Sequence, residues 1–94
     1  MIIALDYDNT YTRDIWAWNG FIRTFRNMGH KIYCVTMRKE ENEGVEVKLA
    51  LEGRVDGIFF TNRRAKEKFM YEQKIAIDVW IDDCPFFVLN DANG

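Results

Sequence analysis

Ninety-four residues, 48% hydrophobic and 15% aromatic, describe one globular domain (1–94) with a real core and exclude a disordered or low-complexity chain. A net charge of −2 and a pI near 5.3 give no basic footprint for strong binding of a nucleic-acid duplex, and no apolar run reaches the length of a membrane span. The first apolar stretch is too short for a secretory signal, and Cys34 and Cys84 lack metal-thiolate spacing. The expected setting is therefore cytoplasmic and reducing, without a disulfide.

Ile2 to Leu5 is an unbroken apolar run, the pattern of a strand buried on both faces of a parallel sheet. It stops at Asp6, Asp8 and Thr10, with Asn9 between them as a turn former. Two carboxylates two residues apart at the end of a buried strand repel each other unless a cation lies between them. A hard divalent ion with oxygen ligands, most naturally Mg²⁺, removes that cost. Taken alone, an Asp-x-Asp turn reads as readily as a solvated acidic loop, so the rest of the chain has to decide.

Thr12 or Asp14 caps a helix running from about Asp14 to Met28, in which Trp18, Phe21, Ile22, Phe25 and Met28 form the apolar stripe and Gly29 is the terminator. Trp18 belongs to the core; Trp16, off the stripe, is a candidate pocket wall. Lys31 to Thr36 is a second strand with Cys34 as a small core residue, and Arg38 follows two residues later. Lys39 to Glu43 is a loop or first helical turn.

Val45 to Leu51 fits both strand alternation and i,i+4 helical pairing; helix is chosen because parallel strands need a crossover element. Val55 to Thr61 is the third strand. Thr61 or Asn62 then caps a helix with Lys66 in its first turns, and Arg63, Arg64, Lys66 and Lys68 read as its solvated start. Ile75 to Ile81 is the fourth strand, ending in Asp82-Asp83-Cys84-Pro85. Phe86 to Leu89 is a short fifth strand or packed tail, and Asn90 to Gly94 is polar and frayed.

Strand–helix alternation predicts an α/β fold: an open, mostly parallel sheet with flanking helices. Ligands of such sheets bind beyond the carboxyl ends of the strands. Asp6 and Asp8, Thr36, Lys66, and Asp82 with Asp83 come from four separate elements and all fall at that edge.

Asp6-Tyr7-Asp8-Asn9-Thr10, Val35-Thr36-Met37-Arg38, Lys66 and Ile81-Asp82-Asp83, in this order and over nearly the whole chain, resemble the four motifs of the haloacid dehalogenase (HAD) superfamily of phosphohydrolases. Response-regulator receivers use similar residues in a different order. The resemblance implies a Rossmann-like fold and a Mg²⁺-dependent phosphomonoesterase working through an aspartyl-phosphate. Asp6 would be the nucleophile. Asp8 would be the general acid and base, with its backbone carbonyl on the metal, and Thr10 would fix the turn beside the substrate. Thr36 would bond a phosphoryl oxygen, and Lys66, preferred over Lys68 and Lys74, would supply the positive charge. Asp83 would be the further metal ligand with Asp82 its partner, or the two would exchange roles. Arg38 is either a substrate-phosphate contact or a solvated loop residue.

Residues 6–30 and 37–54 leave no room for the cap domain many HAD members carry, so a minimal, capless member is expected. Its open site would admit a nucleotide, a nucleic-acid end or another phosphoester, or be closed by a second copy of the chain. The Asp-Asp-x-Pro ending is similar to that of some polynucleotide phosphatases and nucleotidases. Two alternatives stay open: a non-catalytic module binding metal or phosphate, for which Trp16, Trp18, Tyr71, Phe86 and Phe87 would offer a partner surface, and a phosphotransferase.

Overall fold

Ile3, Ala4 and Leu5 are all but inaccessible to solvent because their strand has a neighbour on each side and helices above and below. A computed structural model describes residues Met1–Gly94. Its four strands, β1 (Ile2–Leu5), β2 (Lys31–Thr36), β3 (Gly57–Phe60) and β4 (Val79–Ile81), are parallel and lie in the order β3-β2-β1-β4. Leu5 is in register with Cys34 on one side and Ile81 on the other, so β1 and β4 end together while β2 runs two residues further, to Thr36. The fold is thus an open, Rossmann-like parallel α/β sheet, as the alternation predicts.

The pleat sends alternate residues of β1 to opposite layers. Ile3 and Leu5 join Ile32 and Cys34 in the larger core, beneath α1 (Ile15–Asn27) and α3 (Val45–Leu51). Ala4 and Val35 face the other way, onto Met70 of α4 (Lys66–Glu72). Asp14 caps α1 by accepting the Ala17 N–H at 3.1 Å. The helix ends in a Schellman turn: Gly29 takes φ +93°, and His30 and Gly29 donate to the Phe25 and Arg26 carbonyls at 3.0 Å each. Trp18 packs edge-on against Phe21 at the core margin, whereas Trp16 is 83% exposed and walls no cleft described below.

The ambiguous stretch Val45–Leu51 is helical, and its two i,i+4 pairs part company. Val47 and Leu51 are buried in the core; Val45 and Leu49 face water. Glu40–Glu43 forms a further helical turn, α2, joined to α3 at Gly44, where a Cβ would stand 2.6 Å from the Glu40 carbonyl oxygen. Two strands are shorter than expected. Val55 belongs to the turn after α3, its N–H bonded to the Leu51 carbonyl, and Ile75 returns its N–H to Met70.

Phe86–Leu89 is a helix, α5, and not a fifth strand: Pro85 fixes φ at −58° at the helix entrance, and Val88 donates to the Pro85 carbonyl at 2.9 Å. The tail that follows is not frayed. Asp91 accepts the Ala65 N–H at 2.7 Å and Ala92 donates to the Arg63 carbonyl at 2.7 Å, which ties residues 91–92 to the segment before α4. No helix is long and apolar enough to cross a membrane.

Candidate active site

Asp6 extends the β1 ladder by one residue, its N–H donating to the Ile81 carbonyl at 2.9 Å, and the chain then leaves the sheet. Asn9 makes the departure possible by adopting φ +62°, a left-handed conformation that Asn tolerates. A short 3₁₀ turn, Tyr11–Arg13, closes the loop. Tyr7, between the two acidic residues, is turned into the core and stacks on Tyr11 with ring centroids 5.8 Å apart. With Tyr7 turned inward, the turn leaves both Asp6 and Asp8 lining the cleft at the strand ends.

Lys66 is the first residue of α4, with only 3% of its side chain exposed. Its ammonium lies 2.7 Å from Asp6 Oδ1 and 2.5 Å from Asp82 Oδ2. Lys68 and Lys74 are solvent-exposed, so the burial of α4 selects Lys66 for the strand-end site. Thr10 Oγ1 bridges the other side: it lies 3.0 Å from Asp6 Oδ2 and 3.3 Å from Asp83 Oδ1, and it accepts the Asp83 N–H at 3.2 Å. Thr36 is buried at the end of β2 and accepts the Arg38 N–H at 3.3 Å, which leaves its hydroxyl proton available.

Carboxylate oxygens of Asp6, Asp82 and Asp83 lie within 4.8 Å of one another. Asp82 has both oxygens engaged, one by Lys66 and one by the Cys84 N–H at 3.0 Å, whereas Asp83 accepts only from Thr10 and lies against the Asp6 carboxyl. Asp8 is not in this cluster. Its carboxylate is held by the Arg38 fork, with Nε 3.0 Å from Oδ2 and Nη2 2.8 Å from Oδ1, while its backbone carbonyl accepts no hydrogen bond. Arg38 also reaches Glu46 at 3.0 Å and the Glu43 carbonyl at 3.0 Å, and it lies over the Tyr7 ring. Arg38 is therefore part of the strand-end network and not a solvated loop residue; the Asp8 carboxylate beside it raises its pKa further.

The charge balance of the site is unfinished. Burial pushes the Asp6 carboxyl up to about 7, against the pull of the Lys66 ammonium; Asp83 and the charge on Asp82 push the same way as burial. Burial by itself would lower Lys66, but Asp6 and Asp82 more than offset it and hold the ammonium protonated. Asp82, Asp83 and a partly ionised Asp6 against one ammonium leave a negative excess in a largely buried pocket. An all-oxygen donor set with that excess is the chemistry a hard divalent cation such as Mg²⁺ takes.

Asp6, Asp8, Thr36, Lys66, Asp82 and Asp83 floor a cleft of about 290 Å³, whereas Thr10 and Arg38 stand behind its lining. Arg63, Phe87, Ala92 and Asn93 complete its wall, none of which motif reasoning singled out as site residues. Arg63 is not part of a solvated helix start. It takes φ +67° after Asn62 at φ +56°, and its guanidinium reaches back to the Met37 carbonyl at 2.8 Å and to Glu43 at 3.1 Å. The cap expected at Thr61 or Asn62 does not form: α4 begins after Ala65, and Asn62, a residue that tolerates the left-handed region, enters this turn instead. Comparison of the chain with protein-family models, with curated proteins and with solved structures finds no match.

Proposed function

We propose that the chain is a minimal, capless phosphomonoesterase of the HAD type, using Asp6 as nucleophile and Mg²⁺ as cofactor. The observation that carries this reading is the juxtaposition of Asp6 with Lys66 at 2.7 Å, inside an acidic cluster and beside a buried threonine hydroxyl. A structural ion pair needs neither the extra carboxylates nor the free hydroxyl.

Asp6, Asp83 and the Asp8 carbonyl would hold the ion, and Asp82 would orient Lys66 from behind. Bound there, Mg²⁺ would neutralise charge between the Asp6 carboxylate and an incoming phosphate dianion. The Asp6 carboxylate attacks phosphorus; the P–O bond to the leaving group breaks, and the leaving oxygen takes a proton from Asp8. Water then attacks the aspartyl-phosphate, passes a proton to Asp8, and releases inorganic phosphate with Asp6 regenerated. Lys66 and the Thr36 hydroxyl stabilise charge on the transferring oxygens. Arg38 exchanges the Asp8 carboxylate for a substrate phosphate oxygen, to which its planar fork is equally suited. That exchange also frees Asp8 to carry a proton.

The test is phosphate release from an aryl phosphate with Mg²⁺ and with EDTA, comparing wild type and Asp6→Asn. Release that requires both Mg²⁺ and Asp6 is expected. Equal activity in the variant would overturn the assignment. A second reading, a phosphate-responsive module without turnover, draws on the Arg38–Asp8 pair, which occupies the acid/base group in the resting protein. A folded wild type that binds Mg²⁺ yet releases no phosphate would favour it.

A further inference from the structure

At the end of the sheet opposite Asp6 lies a larger cleft, of about 650 Å³, bounded by the second half of α1, the start of β2 and the turn after α3. Of its 11 lining residues only one, Ile22, is apolar. Arg23, Arg26, Lys31 and Arg54 line it, against a single carboxylate, Asp56. That carboxylate is fully used: one oxygen pairs with Arg26 at 3.1 Å and the other accepts the Ile32 N–H at 2.7 Å. Arg26 is further held by the Arg54 carbonyl at 2.7 Å. No acidic group lies within salt-bridge distance of Arg23, Lys31 or Arg54.

A cation near the end of α1 complements the helix dipole, and this accounts for Arg26 in its last turn. The carboxyl end of α3 likewise suits Arg54, whose N–H donates to the Leu51 carbonyl, but no helix end accounts for Arg23, a turn before the end of α1, or for Lys31, which opens a strand. Three unpaired cations from three separate elements meet at one polar concavity, in a chain whose net charge is −2. Such a focus of like charge repels itself and attracts anions from solution.

We propose that this cleft binds an anion of linked phosphates, supplied either by a free polyphosphate or by the backbone of a nucleic-acid single strand. Linked phosphates, and not a lone one, match cations spaced over three elements and a cleft of this size. The site shares no residue with the Asp6 cleft, so the proposal is independent of the phosphomonoesterase reading.

The test is titration of the isotopically labelled full chain in EDTA, which keeps divalent ions away from the acidic cluster. One arm uses inorganic tripolyphosphate, the other a short oligothymidylate with hydroxyl ends. Amide shifts at residues 29–31 and 53–56 are expected in at least one arm, and whichever ligand gives them identifies the source. The variant Arg23→Gln/Lys31→Gln/Arg54→Gln, changed only at exposed positions, is expected to bind at least about tenfold more weakly and with a shallower salt dependence. Arg54→Glu alone serves if the triple variant does not fold. Its phosphatase activity is expected to match wild type. Shifts confined to the Asp6 cleft, no shifts with either ligand, or wild-type affinity in a folded variant would overturn the proposal.

Discussion

Arg38 closes its guanidinium fork on Asp8 with both contacts at 3.0 Å or less, although the two residues are 30 positions apart and lie beyond different strands. The pair is half open to water, with 49% of the Asp8 side chain exposed, so it is a poor source of stability and well suited to exchange. If Arg38 transfers to substrate phosphate, Arg38→Ala raises KM for an aryl phosphate by about tenfold or more, the loss expected for a charge-assisted bidentate contact. Arg38→Lys recovers little, because an ammonium cannot reproduce the fork. Steady-state kinetics decide it: unchanged kcat/KM in both variants removes Arg38 from substrate binding.

Lys66 is buried between Asp6 and Asp82, and removing it leaves two carboxylates facing each other in a largely buried pocket. In EDTA, Lys66→Met is expected to lose about 3–5 kcal/mol, the usual result of stripping one partner from a buried ion pair. Mg²⁺ should restore part of that stability by supplying the missing positive charge. Urea denaturation with and without Mg²⁺ reads both effects, and a variant indifferent to Mg²⁺ would argue against a metal centre at these carboxylates.

Asp82 and Asp83 are adjacent in sequence but differ in their partners. Both Asp82 oxygens are engaged, whereas Asp83 keeps a free one. Asp83→Asn is therefore expected to weaken Mg²⁺ binding far more than Asp82→Asn, which should cost no more than about tenfold, as for a group that orients a ligand from behind. Calorimetric titration of Mg²⁺ into each variant gives the comparison. The reverse order would exchange their roles.

Burial pushes the Cys34 thiol up from 9.0 to about 12, while Cys84 is only partly covered and neither is in a disulfide. One thiol is expected to react with a thiol reagent in the native protein and two in denaturant. The native state keeps the Cys34 proton to higher pH than the unfolded chain does. Its contribution to stability is thus intact below pH 9.0 and declines as pH rises towards about 12. Cys34→Ala should flatten that alkaline decline, which denaturation curves across this range would measure.

Much of the site was legible because strand ends announce themselves: an apolar run that stops at Asp6, at Thr36 or at Asp82 puts a polar group at the sheet's carboxyl edge. The stretch Val45–Leu51 was not, since its alternation and its helical pairing are equally good locally. Only the core beneath α3 chooses Val47 and Leu51 over Val45 and Leu49. Phe86–Leu89 misled for a related reason. Four apolar residues suit a strand, but Pro85 sets the first helical φ. The tail was unreadable because its anchors, the Ala65 N–H and the Arg63 carbonyl, are main-chain groups without a side-chain signature.

Sequence alone determined the layered α/β architecture, the edge of the sheet that gathers polar residues, and the carboxylates gathered there. Those follow from periodicity and from the cost of burying charge, both local properties of the chain. Tertiary structure alone decided which lysine is buried, that Asp82 serves Lys66 while Asp83 stays free, that Arg38 grips Asp8, and that three cations converge at the opposite end. Each depends on distances between residues far apart in the chain, and only the packing of the helices on the sheet sets those distances.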